Sequence, residues 1–427
     1  MPLLIKGGRV LDPGRIDENL DILIEKGRIV KTGKRIRVPQ TALDTRIIDA
    51  KGLLVVPGLI DLHVHFREPG HEYKETIATG CRAAAAGGFT AVCTMPNTSP
   101  VNDNRQITEF ILEKADAACG VRVYPVGAVS KSLAGQALTE FSDLKEGGAV
   151  AVTDDGRPVV SSLLMRRALE YARGFGLFVI SHCEDPDLSA GGAMNEGETA
   201  TRMGLAGIPN AAESVMVQRD IALAALTGGR LHIAHVSTRE SVAAIRAAKA
   251  AGIPITAETA PHYFTLTDAA VENYDTHAKM NPPLRTEADR RAVVDGLADG
   301  TLDAVATDHA PHSTIEKDVE FDQAANGIIG LETALPLGLA LVEDGALTLG
   351  GLIEKMTVNP ARILGIDNRI ATGNPADLTL IDLDRAFTVD ANRFFSKSRN
   401  TPFNGWKLKG NAAATIVGGN VIFEAFP

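Results

Sequence analysis

The chain has 427 residues, 45% of them hydrophobic and 22% charged, with a formal net charge of -10. That composition suits a soluble globular protein with a sizeable core and lies outside the disordered regime. The negative charge and the lack of a Lys/Arg cluster argue against a partner such as nucleic acid or an anionic membrane, and no run reaches the roughly 18 apolar residues of a membrane span. The first residues, MPLLIKGGRVLDPG, contain no long apolar leader, so a cytoplasmic protein is expected. Cys81, Cys93, Cys119 and Cys183 form no CxxC pair, and no disulfide is expected.

Residues 1–56 carry short β-type runs, LLIKGGRVL, DILIEKGRIVKTG and RIIDAKGLLVV, broken by Gly-rich turns. Comparable runs recur near the other end in ADLTLIDLD and AATIVGGNVIFEA. The expected architecture is α/β. Residues 1–56 and 366–427 form a small β-sandwich domain built from both termini, and residues 57–365 form a (β/α)8 TIM-like barrel inserted between them. Eight strand-like runs can be named in the insert: LIDLHVHF, TAVCTMPN, VRVYPVGAV, AVAVTDD, LFVISHCED, RLHIAHVST, PITAETAPH and LDAVATDHAPH. Helical patterns lie between them, as from Arg239 to Gly252, where apolar residues recur at helical spacing before a terminal Gly. No GxGxxG follows the first strand, so a dinucleotide-binding sheet is unsupported.

Polar residues gather where these strands end, the face on which barrel enzymes keep their chemistry. His63 and His65 are two apart, point to the same side of a strand, and are spaced as a ligand pair. The fourth run ends in Asp154-Asp155, the fifth in His182, the sixth in His235 and the eighth in Asp308. Imidazole and carboxylate together suit zinc or a similar divalent ion. Six such groups exceed one tetrahedral site, so a two-metal centre is expected. His232 and His235 fall on opposite faces of a regular strand, as do Asp308 and His309, so one of each pair reads as structural; His235 and Asp308, nearer or matching the strand tip, are the residues chosen for the site. Spacing does not decide between Asp154 and Asp155. Arg67 continues the alternation of His63 and His65 and offers a planar fork for a carboxylate, the alternative being a rim ion pair with Glu68 or Glu72. His71 and His277 read as surface residues and His262 as packed beside the site. NGIIGLET, residues 326–333, reads as a Gly-rich turn entering a helix.

In this order DLHVHFREPG, TMPNTSP, VTDDG, SHCED, HVST, KMNPPLR and ATDHAPH resemble the dihydroorotases of the amidohydrolase superfamily, and the likeness runs through nearly the whole chain. It implies a zinc-dependent cyclic amide hydrolase that interconverts N-carbamoyl-L-aspartate and L-dihydroorotate in pyrimidine biosynthesis, with one or two Zn2+ per subunit and two expected. His63 and His65 would bind one metal, His182 and His235 the other, and Asp155 would bridge both. Asp308 would be a ligand and the proton shuttle. His65, Arg67, Asn97, Asn281 and His312 would contact substrate, with the backbone of Asn326 and Gly327 closing over it. Many relatives bridge their metals with a carboxylated lysine on the fourth strand. AVAVTDD contains none, which implies the aspartate-bridged class I bacterial branch, with Lys131 and Lys145 solvated. Ser often precedes the Asp pair in relatives, where this chain has Thr153. The competing expectations are an allantoinase or dihydropyrimidinase, and an inactive scaffold for aspartate transcarbamoylase. A homo-oligomer and an association with that transcarbamoylase are both compatible with the resemblance.

Overall fold

The computed structural model describes residues 2–37, 45–118 and 120–426, so Cys119 lies outside the described residues. Strands Leu3–Asp12, Ile16–Glu25, Arg28–Gly33, Arg46–Asp49 and Leu54–Pro57 join Leu378–Thr388, Lys407–Val417 and Asn420–Glu424 in one eight-stranded mixed sheet. Leu54–Pro57 unites the two ends of the chain, because it runs parallel to Leu3–Asp12 and antiparallel to Leu378–Thr388. Alternation along these strands turns Ile5, Ile22, Ile24, Val55, Leu380 and Ile416 into a core of their own.

A second sheet contains eight parallel strands in chain order: Leu59–Val64, Phe89–Thr94, Arg122–Ala128, Ala151–Thr153, Val179–Ser181, Leu231–Ile233, Ile255–Thr259 and Ala304–Val305. Each overlaps one of the eight runs read from the sequence, the second beginning one residue before its run, at Phe89. A parallel bridge between Val64 and His309, and a 2.9 Å bond from His65 N–H to His309 O, bring the last strand beside the first. The result is a barrel with helices outside. Most of its strand residues are buried, because helices cover one face and the barrel interior the other. Several helices start at side-chain caps, as at Asn104, Ser161, Thr238 and Thr286. The helix Arg239–Ala250 buries Val242, Ile245 and Ala248, three residues apart, and the chain leaves it through Gly252 at φ +74°. Among the described residues no helix is long and apolar enough to cross a membrane. Cys93 and Cys183 are buried thiols.

The mixed sheet grips the barrel through Asp377. Its carboxylate accepts from Arg122 Nε at 2.6 Å and Nη2 at 3.0 Å, and from Gly418 N–H at 2.7 Å, while its carbonyl accepts from Gly58 N–H at 2.9 Å. Arg122 stands on the third barrel strand, so one bidentate pair ties barrel to sheet. Arg122→Ala should lower unfolding free energy by about 1–2 kcal/mol in urea titration, below the full value of a charged pair because the arginine is partly solvated.

Candidate active site

The barrel mouth gathers a buried cluster of imidazoles and carboxylates. The atoms of His63, His65 and Asp155 that could bind a metal lie within 4.8 Å of one another, as do those of Asp155, His182 and His235, so Asp155 belongs to both groups. Asp308 Oδ1 lies 3.2 Å from His65 Nε2 and 3.8 Å from His63 Nε2. Asp154 turns away, accepting from Ser130 N–H at 2.9 Å and from the Ser130 hydroxyl. The pair that spacing left open is therefore separated by direction, with Asp155 facing the cluster.

Hydrogen bonds on the far side of each ring determine which nitrogen faces inward. His63 Nδ1–H donates to Glu258 Oε1 at 2.9 Å, so Nε2 turns its lone pair toward Asp155 Oδ1 at 3.3 Å. His65 Nδ1–H donates to Asn97 Oδ1 at 2.8 Å, and its Nε2 faces Asp308 Oδ1 and Asp155 Oδ2 at 3.2 and 3.4 Å. His182 Nε2–H donates to Glu184 Oε2 at 3.0 Å, leaving Nδ1 2.8 Å from His235 Nε2. Lone pairs this close require a cation or a proton between them. His63 Nε2 and Asp155 Oδ1 are buried without a hydrogen-bond partner, which fits a divalent cation on this donor set.

Protonation follows the same logic. Burial opposes charge on Asp155, but His63, His182 and His235 outweigh it and hold its pKa well below the usual carboxylate range. Burial likewise opposes charge on His63, yet Asp155 and Glu258 raise it well above an ordinary histidine. His182 is lifted to about 10 against its burial, by Asp155 and Glu184. A cation bound at the inward nitrogens would compete with protonation of these rings, so its binding would release protons.

The cluster floors a cleft of about 250 Å3, lined by His65, Asp155, His182, His235 and Asp308 together with Arg67, Asn97, Asn281, His312, Asn326 and Gly327. His63 lies deeper and is fully buried. Arg67 reaches the cleft by a route the alternation did not foresee. The strand stops at Val64, and Arg67 adopts φ +64° in the following loop. The alternative, a rim pair with Glu68 or Glu72, is absent: Glu68 accepts from Ile77 N–H and Glu72 from Gly70 N–H. Arg67 Nε donates to Pro311 O at 3.2 Å. His312 Nε2–H donates to Asn326 O at 2.8 Å. Burial, with Arg67, Lys74 and Lys317 nearby, pushes its pKa down to about 2, so the ring is neutral. Gly327 N–H is committed to Lys279 O at 3.0 Å, and Asn281 Nδ2 to Glu184 at 2.9 Å.

Regular strand parity is not what separates His235 and Asp308, chosen for their place at the strand tips, from His232 and His309. His235 and Asp308 lie beyond their strands with positive φ, +34° and +47°, and this turns them into the mouth. His232 stays in the strand, bonded to Thr256 Oγ1 at 2.8 Å; Glu258 Oε2 is 3.1 Å from its Nε2 but out of line for a hydrogen bond. His309 accepts from Gly330 N–H and points to Glu75. His277 is exposed, His71 half-buried, and His262 buried. Lys131 and Lys145 are exposed.

A family model described as dihydro-orotase-like matches residues 52–241. The chain is 60% identical over 425 residues to a dihydroorotase of Desulforapulum autotrophicum, with 99% of each chain covered. It is 58% identical to one of Geobacter metallireducens, covering 99% of this chain and 100% of the relative. The chain belongs to the dihydroorotase family. Among solved structures, an L-hydantoinase (dihydropyrimidinase) from Arthrobacter aurescens matches this dihydroorotase-family chain with a TM-score of 0.88 at 27% identity, over 100% of this chain and 96% of that one.

Three carboxylates of this dihydroorotase-family site escaped the sequence reading: Glu258, Glu184 and Asp61. Asp61 accepts from His63 N–H and Thr307 N–H, both at 3.0 Å, and from Thr307 Oγ1 at 2.6 Å, linking the first strand to the segment before Asp308. Each carried a signal. Asp61 shares the parity of His63 and His65, Glu258 sits in the apolar run PITAETAPH, and Glu184 follows His182 by two residues. Glu258→Gln should weaken divalent-metal affinity about 10–100-fold in competition with a chelator, because the orienting charge behind His63 is lost. Unchanged affinity would remove Glu258 from that role.

Proposed function

We propose that this chain is a dihydroorotase, interconverting N-carbamoyl-L-aspartate and L-dihydroorotate in de novo pyrimidine biosynthesis, with two Zn2+ held by His63, His65, Asp155, His182, His235 and Asp308. The observation that carries the reading is Arg67. Its guanidinium forms no ion pair among the described residues, yet lines the same cleft as a His/Asp cluster bridged by an aspartate. A cyclic amide bearing a free carboxylate matches that combination. The full-length relatives named dihydroorotase agree with it, and the allantoinase, dihydropyrimidinase and inactive-scaffold readings are not favoured.

When bound, the ions supply Lewis acidity that lowers the pKa of water and polarises the amide carbonyl. Asp308 accepts the proton of the attacking water and delivers it to the ring nitrogen as the C–N bond breaks. In the cyclising direction it takes a proton from the carbamoyl nitrogen as that nitrogen attacks the carboxyl carbon, and returns it to the carboxyl oxygen, which leaves as water when the C–O bond breaks. With Nε committed to Pro311, Arg67 directs its two terminal nitrogens to the substrate carboxylate. Asn97 has given its carbonyl oxygen to His65, so its amide nitrogen is the donor left for substrate. In Asn281 the amide nitrogen is held by Glu184, and the oxygen remains to accept a ring N–H.

Turnover of dihydroorotate, allantoin and dihydrouracil by the purified metal-loaded protein tests the assignment. Activity confined to allantoin or dihydrouracil would overturn it. Asp308→Asn should cost at least about 100-fold in kcat with metal content verified, since general acid-base catalysis is typically worth 10²–10⁴-fold. A loss below about tenfold rejects Asp308 as shuttle. Arg67→Ala should lower kcat/KM on dihydroorotate by about two orders of magnitude, or about 3 kcal/mol, while any residual dihydrouracil hydrolysis changes little.

A further inference from the structure

Lys317 is a buried cation with no carboxylate in reach. It ends the short helix Thr314–Lys317, is 2% exposed, and makes no ion pair among the described residues. Its Nζ donates to three main-chain carbonyls, Thr276 O at 2.8 Å, Lys279 O at 3.1 Å and Ala325 O at 2.7 Å. Three acceptors use every N–H of an ammonium, whereas a neutral amine has only two.

Those carbonyls belong to two loops that wall the cleft. Thr276 and Lys279 lead into Asn281, and Ala325 leads into Asn326 and Gly327. Thr276 Oγ1 donates back to Lys317 O at 2.6 Å, and Lys279 Nζ crosses the other way to Asp322 O at 2.9 Å. The Lys279 carbonyl held by Lys317 also accepts Gly327 N–H at 3.0 Å. One oxygen therefore registers the staple and the cleft wall together.

We propose that Lys317 is a positioning residue for the substrate, its ammonium fastening the loop after the eighth strand to the loop that carries Asn281. Burying an unpaired charge is costly, and three charge-assisted bonds offset that cost only while the ammonium keeps its proton. The charged and titratable groups facing it are Lys279 and Asp275 from the first loop, and Glu316 and His312 from its own side. Burial and Lys279 push Lys317 down to about 7, against the pull of Asp275. Above that pH the staple loses one donor, so substrate binding should loosen.

The inference rests on the reading of this cleft as the dihydroorotate site. Its test is Lys317→Met in the full-length, metal-loaded enzyme, with wild type assayed in parallel. At about pH 6 the variant should raise KM for dihydroorotate about tenfold, lower kcat less than about threefold, and leave metal content unchanged. The wild-type rise in KM as pH passes about 7 should be flattened in the variant. A folded variant with wild-type KM and the wild-type pH profile overturns the positioning role. Wild type that fails to turn over dihydroorotate overturns the functional reading instead. If Lys317→Met does not fold, Thr276→Val removes only the return bond. A KM rise of about two- to fivefold supports the staple, and an unchanged KM overturns it.

Discussion

Asp155 is the constraint around which the mouth is built. Four imidazoles approach its carboxylate within 3.5 Å, buried at the floor of the cleft. Lone pairs and charges of that density are tolerable only with positive charge among them, whether protons or a metal. The surroundings read as ways of keeping the rings aimed at this point. Glu258, Asn97 and Glu184 each take the outward N–H of one histidine, so its other nitrogen has to turn inward.

The backbone contributes as much as the side chains. Arg67, His235 and Asp308 all adopt positive φ, a conformation L-residues seldom occupy and which costs free energy. In each case the chain has just left a barrel strand, and the left-handed turn redirects a side chain that continued β geometry would have placed elsewhere. The strands before His235 and Asp308 are only three and two residues long, the ladder stopping where the site begins. Asp61 braces the seam, holding His63 and Thr307 so that the first and last strands bring His65 and Asp308 together.

The C-terminal part of the chain reaches the same region. Asn400 Nδ2 donates to Ala310 O at 2.9 Å and Gly327 O at 3.0 Å, and its Oδ1 accepts His312 N–H at 3.1 Å. Ser396 and Lys397 hold Glu75, and Ser398 holds the Lys74 carbonyl. Lys74 in turn pairs with Glu316 at 2.5 Å. This crossing segment clasps the loop after the eighth strand from above, while Lys317 fastens it from within.

Much of this was legible in one dimension. Eight apolar runs ending in polar residues specify parallel strands with chemistry at one end, because strand periodicity and turn composition are local properties. His63, His65, Asp155, His182, His235 and Asp308 could be named because imidazoles and carboxylates at strand tips are rare and chemically distinctive. What the chain order does not contain is direction. Asp154 and Asp155 are adjacent letters, and only Ser130, contributed by the preceding strand's end, turns one away from the other. Arg67 was assigned to the mouth by an alternation that ends three residues before it, and the left-handed backbone at Arg67 brings it there instead. Glu258 and Asn400 act through partners that lie 195 and 73 to 90 residues away along the chain, and Lys317 joins Ala325, 8 residues on, to Thr276 and Lys279, 41 and 38 residues back. Their roles arise from contacts that exist only once the barrel has closed, because a hydrogen bond depends on distance and angle in space rather than on spacing in sequence.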